Sequence, residues 1–244
     1  MLIVNADDFG VSPSASDPTI LLFAQGALSS ASAMVGMRDT ARAASLAREC
    51  GLPTGLHLNL TLPFAEPTVP APARERQRRL TEAFGRESWR ERGGRDPDGR
   101  LIADAIEDQL ERFRDAFGEP THLDGHHHVH VHPAVLEQLP PELLTRPILS
   151  VPARACAERS ARVRDRPGRA AGPDLCFALG HVHPALGGDG LQALEHARER
   201  SLEIMAHPQQ ERERLALESA AWRQALAALR VGSYADLAGI IRSR

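Results

Sequence analysis

Short apolar runs alternate along this chain with stretches whose apolar residues recur every three or four positions. The runs Leu2–Ala6, Ser29–Val35, Thr54–Leu60, His122–Asp124, Ile148–Val151 and Leu202–Ala206 predict strands. The helical signal is strongest over Leu101–Phe117, where Leu101, Ile102, Ala105, Ile106, Leu110, Phe113 and Phe117 fall on one stripe. Thr40–Cys50 predicts another helix, with Asp39 placed to cap it and Gly51 to close it. A helix through Leu21–Gly26 is expected to start at Asp17 as N-cap, with Pro18 as its first residue. Further helices are predicted around Arg74–Ala83 and over Pro133–Leu139, Gly190–Arg200 and Glu211–Leu229. Strand and helix alternate without an internal repeat, which predicts a single α/β domain over residues 1–244, built on a parallel, barrel-like sheet. Pro152–Pro173 has little periodicity and reads as a mobile loop.

Composition narrows the function. A chain of 244 residues suits one α/β barrel. The net charge of −3, without a basic block, argues against nucleic acid as partner. All 29 of the Lys+Arg residues are arginine. A Schiff-base lysine and a P-loop lysine are thereby excluded. Cys50, Cys156 and Cys176 form no CxxC pair, so neither a disulfide framework nor a thiolate zinc site is expected. No apolar run reaches the ~18 residues that a membrane span requires. The first residues carry no basic segment, and Asn5, Asp7 and Asp8 interrupt their apolar run, unlike a signal peptide. A cytoplasmic protein is the expectation, with a homodimer as the default assembly.

Chemistry gathers at predicted strand ends. Asp7 and Asp8 follow the first apolar run, although neighbouring carboxylates resist simultaneous ionisation unless something offsets them. In GLHLNLT, residues 55–61, a strand would put His57 and Asn59 on one face. Six of the 11 histidines lie between His122 and His132; if extended, Asp124, His126, His128, His130 and His132 share one side. Asp124 is a natural second partner for a ligating imidazole. His207 ends the run LEIMA, whereas the similar HVHP at 181–184 has no preceding predicted strand. Taken singly, His57 and His207 read more simply as structural groups. Taken together, a carboxylate and two imidazoles at the carboxyl ends of strands suit a divalent cation with open positions. One aspartate can then bind the ion while the other takes a proton from attacking water.

The stretches NADDFG with Ser12 following, GLHLNLT, PTHLDGHHHVHVHP, EIMAHP and GSYADL, in this order, resemble the YdjC/ChbG-like carbohydrate deacetylases. The resemblance implies a TIM-barrel-like fold, regular or distorted, and metal-dependent removal of N-acetyl groups from sugars such as chitooligosaccharides. It makes Asp8, His57 and His126 ligands of magnesium or zinc, Asp7 the general base and His207 the acid. An acetylated sugar is the implied substrate. Other readings are hydrolysis of a different amide or ester, or a metal- or sugar-binding relative without turnover. The chain departs from the family pattern in places. Gly125 stands where the family usually has Ser, and Pro18 should break any helix begun at Ser12. Residues 146–180 diverge, leaving Arg154 as the candidate substrate-contacting arginine.

Overall fold

The computed structural model describes residues 1–85, 98–147, 172–188 and 190–243. The predicted strand Ile148–Val151, the predicted loop from Pro152 as far as residue 171, and Arg154 lie outside the described residues. Six strands form one parallel sheet: β1 (Leu2–Phe9), β2 (Ser30–Ala33), β3 (Thr54–Leu58), β4 (Leu123–Gly125), β5 (Leu175–Ala178) and β6 (Leu202–Ala206), ordered β4-β3-β2-β1-β6-β5. The sheet curls into a half-barrel with helices around it, as the barrel-like expectation requires. Parallel strands are buried on both faces, which explains the near-continuous apolar runs of β1 and β6. These two pair in register from Leu2↔Leu202 to Ala6↔Ala206.

Helices α1 (Pro13–Ala24), α2 (Thr40–Cys50), α3 (Ala71–Phe84), α4 (Gly99–Phe117) and α5 (Pro133–Leu136) connect the first half. Helix α4 buries Ile102, Ala105, Ile106, Leu110 and Phe113 in one core with Val4, Leu56, Leu58 and Ile204. Gln109 is also buried on this face; its amide bonds the N–H and the carbonyl of Asn59, where β3 has just ended. Asn59 caps the following turn, accepting from the backbone N–H of Thr61 and Leu62. It therefore does not share a strand face with His57. In the second half follow α6 (Leu179–Val182), a 3₁₀ segment Leu191–Arg198, α7 (Glu211–Leu217), α8 (Ala220–Ala227) and α9 (Tyr234–Arg242).

Two local expectations fail for identifiable reasons. Helix α1 begins at Pro13 with Ser12 as N-cap, so Asp17 is not its cap and Pro18 lies inside it. The hydrogen bond that Pro18 cannot donate would go to the carbonyl of Ser14, an exposed residue in the first turn of the helix. The histidine tract is not extended. His126–Val131 is a 3₁₀ helix interrupted by left-handed backbone at His127 (φ 53°) and His128 (φ 58°), so the shared parity of the histidines is lost. Gly125 belongs to this turn: a Cβ there would lie 3.1 Å from the backbone nitrogen of His130. A serine at 125 would need that turn to give way.

Candidate active site

All six strands run the same way, so Asp7 and Asp8, the segment after Asp124, and His207 emerge at one end of the sheet. His57 joins them because His57 and Asp124 are register partners across β3 and β4. Their side chains meet directly, His57 Nδ1 lying 2.6 Å from Asp124 Oδ1. The strand between β1 and β3 is SASA, whose small side chains leave room for the acidic and imidazole groups on either side. Its Ser32 hydroxyl donates to Asp124 Oδ2 at 2.6 Å. The β1–β2 register shifts between Ala6 and Phe9, and Asp8 there adopts φ 65°. Left-handed backbone costs a non-glycine residue about 1–3 kcal/mol, and such strain gathers at functional sites.

Here the two aspartates part company. Asp7 is buried and held from both sides. Arg146 Nη1 donates to Oδ2 at 2.7 Å, Arg146 Nη2 to Oδ1 at 2.5 Å, and Asn5 Nδ2 to Oδ1 at 2.9 Å. Burial would raise its pKa, but the Arg146 charge outweighs this and lowers it, so the carboxylate stays ionised. Asp8 receives Gln209 Nε2 on Oδ2 at 2.7 Å, while Oδ1 is buried without a hydrogen-bond partner. Facing that oxygen are His57 Nε2 at 3.4 Å and His126 Nε2 at 3.9 Å. The far nitrogen of each ring is anchored, His57 by Asp124 and His126 by the Thr61 hydroxyl.

The structure thus brings together Asp7, Asp8, His57, His126 and His207, which line one cavity of about 360 Å³ with Gly125, His127, His128, Met205 and Gln210. The donor set suits a divalent cation on three counts. An anionic oxygen lacks a partner, two imidazole nitrogens face it, and each ring is oriented from behind as metal-binding histidines usually are. Among the described residues, Asp7, His57 and Asp124 are the group whose ligand-type atoms all lie within 4.8 Å of one another. That trio is no equivalent cradle, because its carboxylate oxygens are already engaged by Arg146, Asn5, Ser32 and the His57 ring.

The imidazoles differ electrostatically. For His57, burial opposes protonation, but the charges of Asp124 and Asp7 prevail and raise its pKa to about 10. For His126, burial and the neighbouring His57 lower it to about 4. His207 is also pushed down by burial, yet its bond to Glu213 and the charges of Asp7 and Asp8 leave its pKa raised. The last two histidines of the tract do other work. His130 Nε2 meets the Arg146 carbonyl at 3.2 Å, and His132 Nδ1 accepts from the N–H of Ala134 at the start of α5. In the rival HVHP, His183 pairs with Ser219 rather than lining the cavity.

Residues 1–230 match the family described as YdjC-like protein. The chain belongs to that family. Among curated relatives, the chitooligosaccharide deacetylases of Yersinia pestis (strain Pestoides F) and Yersinia pseudotuberculosis serotype O:3 (strain YPIII) are each 34% identical over 217 residues, covering 85% of this chain and 81% of the relative. Among solved structures, a candidate cellobiose-phosphate cleavage protein from Enterococcus faecalis V583 superposes with a TM-score of 0.69 at 19% identity, covering 97% and 98% of the two chains. The Xyl-CE4 domain of a multidomain xylanase from the hindgut metagenome of Trinervitermes trinervoides gives 0.51 at 7% identity over 97% and 88%. At these identities the two structures speak to fold alone.

Several residues around the site carried no sequence signal. Arg146 sits in LLTRPIL with no motif around it, one arginine in a chain rich in them. Gln209 lies two residues beyond His207 and Thr61 closes GLHLNLT, with nothing in either residue type to mark a role.

Proposed function

We propose that this protein is a metal-dependent hydrolase that removes N-acetyl groups from a chitooligosaccharide-like sugar. One observation carries the reading: the unpartnered Asp8 Oδ1 faces two anchored imidazole nitrogens, with an ionised Asp7 in the same cavity. Relatives named chitooligosaccharide deacetylase, matched over most of this chain, supply the substrate class. Asp8, His57 and His126 would hold the ion, magnesium or zinc. When bound, such an ion polarises the acetamide carbonyl and makes nearby water more acidic.

The chain's own groups do the rest. Asp7 accepts the proton of the attacking water. Its bidentate pairing with Arg146 keeps it ionised and fixes its orientation. His207, whose pKa is raised by Glu213 and the two aspartates, is the group that delivers a proton to the departing amine. The products are acetate and the free amino sugar. Acetate release from diacetylchitobiose, measured with and without a chelator, tests the proposal. Release that chelator abolishes and added metal restores is expected; release indifferent to chelator, or none with metal supplied, overturns it.

A further inference from the structure

Arg146 is completely buried and serves three carboxylates. Two of them lead into the cavity. Asp7 lines it, and Asp124, 2.6 Å from Nη2, holds His57 from behind. The third, Glu203 on β6, leads the other way. Its Oε1 accepts from Arg146 Nε at 2.8 Å and lies equally close to Nη2, and its Oε2 accepts from the hydroxyl of Tyr234. Tyr234 is the first residue of α9, whose start is fixed by a capping box between Ser233 and Asp236. The tyrosine ring stacks on His122, with centroids 3.6 Å apart and planes 8° from parallel. Gly55 makes room for that stack, since a Cβ there would fall 2.2 Å from His122 Nδ1.

Neutralising Asp7 and Asp124 does not require Glu203. A third buried carboxylate adds desolvation cost, and well-packed apolar groups often serve stability as well or better. What Glu203 supplies is direction. A guanidinium gripped only through its Nη atoms can still swing with its aliphatic arm, and a hydrogen bond on Nε removes that freedom. We infer that Glu203 and Tyr234 are positioning residues: through Arg146 they hold the Asp7 carboxylate in the orientation for taking a proton. The inference rests on the proposed role of Asp7 as base.

The test uses the full-length, metal-loaded protein and diacetylchitobiose. Misplacing a reacting group by about 1 Å can cost roughly 100-fold, so Glu203→Ala is expected to lower kcat by about that factor while KM stays within about twofold. Glu203→Gln, which keeps an acceptor for Nε, should recover most of the loss. Tyr234→Phe, which deletes one oxygen, should cost about tenfold in kcat. A second readout needs no turnover: the Arg146 Nε–H resonance in NMR, protected from solvent exchange in the parent protein. Both Glu203→Ala and Tyr234→Phe should lose that protection. If Glu203→Ala does not fold, Tyr234→Phe decides by the same two readouts. Unchanged protection with unchanged kcat overturns the inference, as does a loss confined to thermal stability or to KM. If the parent protein releases no acetate, the functional reading fails, and the resonance still decides whether Glu203 and Tyr234 hold Arg146.

Discussion

The cluster around Arg146 and the cluster around Asp8 both join aspartate to histidine and meet at His57, yet they are opposites. Around Arg146, the oxygens of Asp7, Asp124 and Glu203 are met by arginine, asparagine, serine, histidine and tyrosine donors. Around Asp8, one carboxylate oxygen accepts no hydrogen bond, and the Nε2 atoms of His57 and His126 face it at 3.4 and 3.9 Å. Asn5 Oδ1 and Asp8 Oδ1 are both buried acceptors without a hydrogen bond, but only the Asp8 oxygen belongs to a carboxylate and lies on the cavity with imidazoles facing it, so it is the one a cation would fill. The first cluster therefore reads as the frame that holds the proposed base, and the second as the binding site, although sequence makes Asp7 and Asp8 look equivalent.

The largest expected effect lies in the scaffold. Arg146→Ala would leave three buried carboxylates facing one another without their cation. Removing one partner of a single buried ion pair costs about 3–5 kcal/mol, so this variant should unfold or melt far below the parent in a denaturant titration. A variant within about 1 kcal/mol of the parent would mean that the cluster is not held by charge.

Next come the two aspartates. Asp7→Asn keeps Asp8, His57 and His126 in place, so metal should still bind in calorimetry while turnover falls about 10²–10⁴-fold. Asp8→Asn replaces the anionic oxygen by a neutral one, so metal binding should weaken and excess metal should restore part of the activity. The opposite pattern would exchange the roles of the two clusters.

How much of this was legible follows from how local each signal is. β1 and β6 declare themselves as apolar runs, and α2 and α4 through their periodicity and, for α2, the glycine that ends it in left-handed backbone. The aspartates and His57 were visible because they interrupt or end such runs. β5 carries little signal because Leu175–Ala178 is four residues long and runs straight into α6, and α9 carries little because its capping box sits inside GSYADL, whose only signal is the family resemblance. The histidine tract misled for a different reason. Its left-handed turn falls on His127 and His128, not on a glycine, so nothing in the residue types announces it. Arg146 and Glu203 were invisible because their partners are 139 and 57 residues away. Contacts across a sheet leave no periodicity to read.

A smaller effect should separate the clusters without touching either carboxylate. Thr61 anchors His126, as Asp124 anchors His57, but it carries no charge and lies outside the Arg146 group. Thr61→Val should weaken metal binding about 10–100-fold, the usual cost of losing a ligand's outer partner. Stability without metal should change by less than about 1 kcal/mol. A melting-temperature loss with unchanged metal affinity would place Thr61 in the scaffold instead.

The gentlest probe is pH, with the sign set by His57. Without metal its pKa is raised to about 10, so below that value its ring carries a proton that a cation at Nε2 must displace. Asp8 is held well below the usual carboxylate range by His57 and His126, despite its burial, and has no proton to lose. His126, lowered to about 4, has none above pH ~5. One proton should therefore leave per ion bound between pH ~6 and ~9, and affinity should rise about tenfold for each pH unit across that window. Calorimetry in buffers of different ionisation enthalpy counts the proton directly. If affinity is flat across the window and no proton is released, the His57 ring is not where the ion sits. The ring would then belong with Asp124 and Arg146 in the buried charge cluster, and Asp8 with His126 alone would be left to hold a ligand.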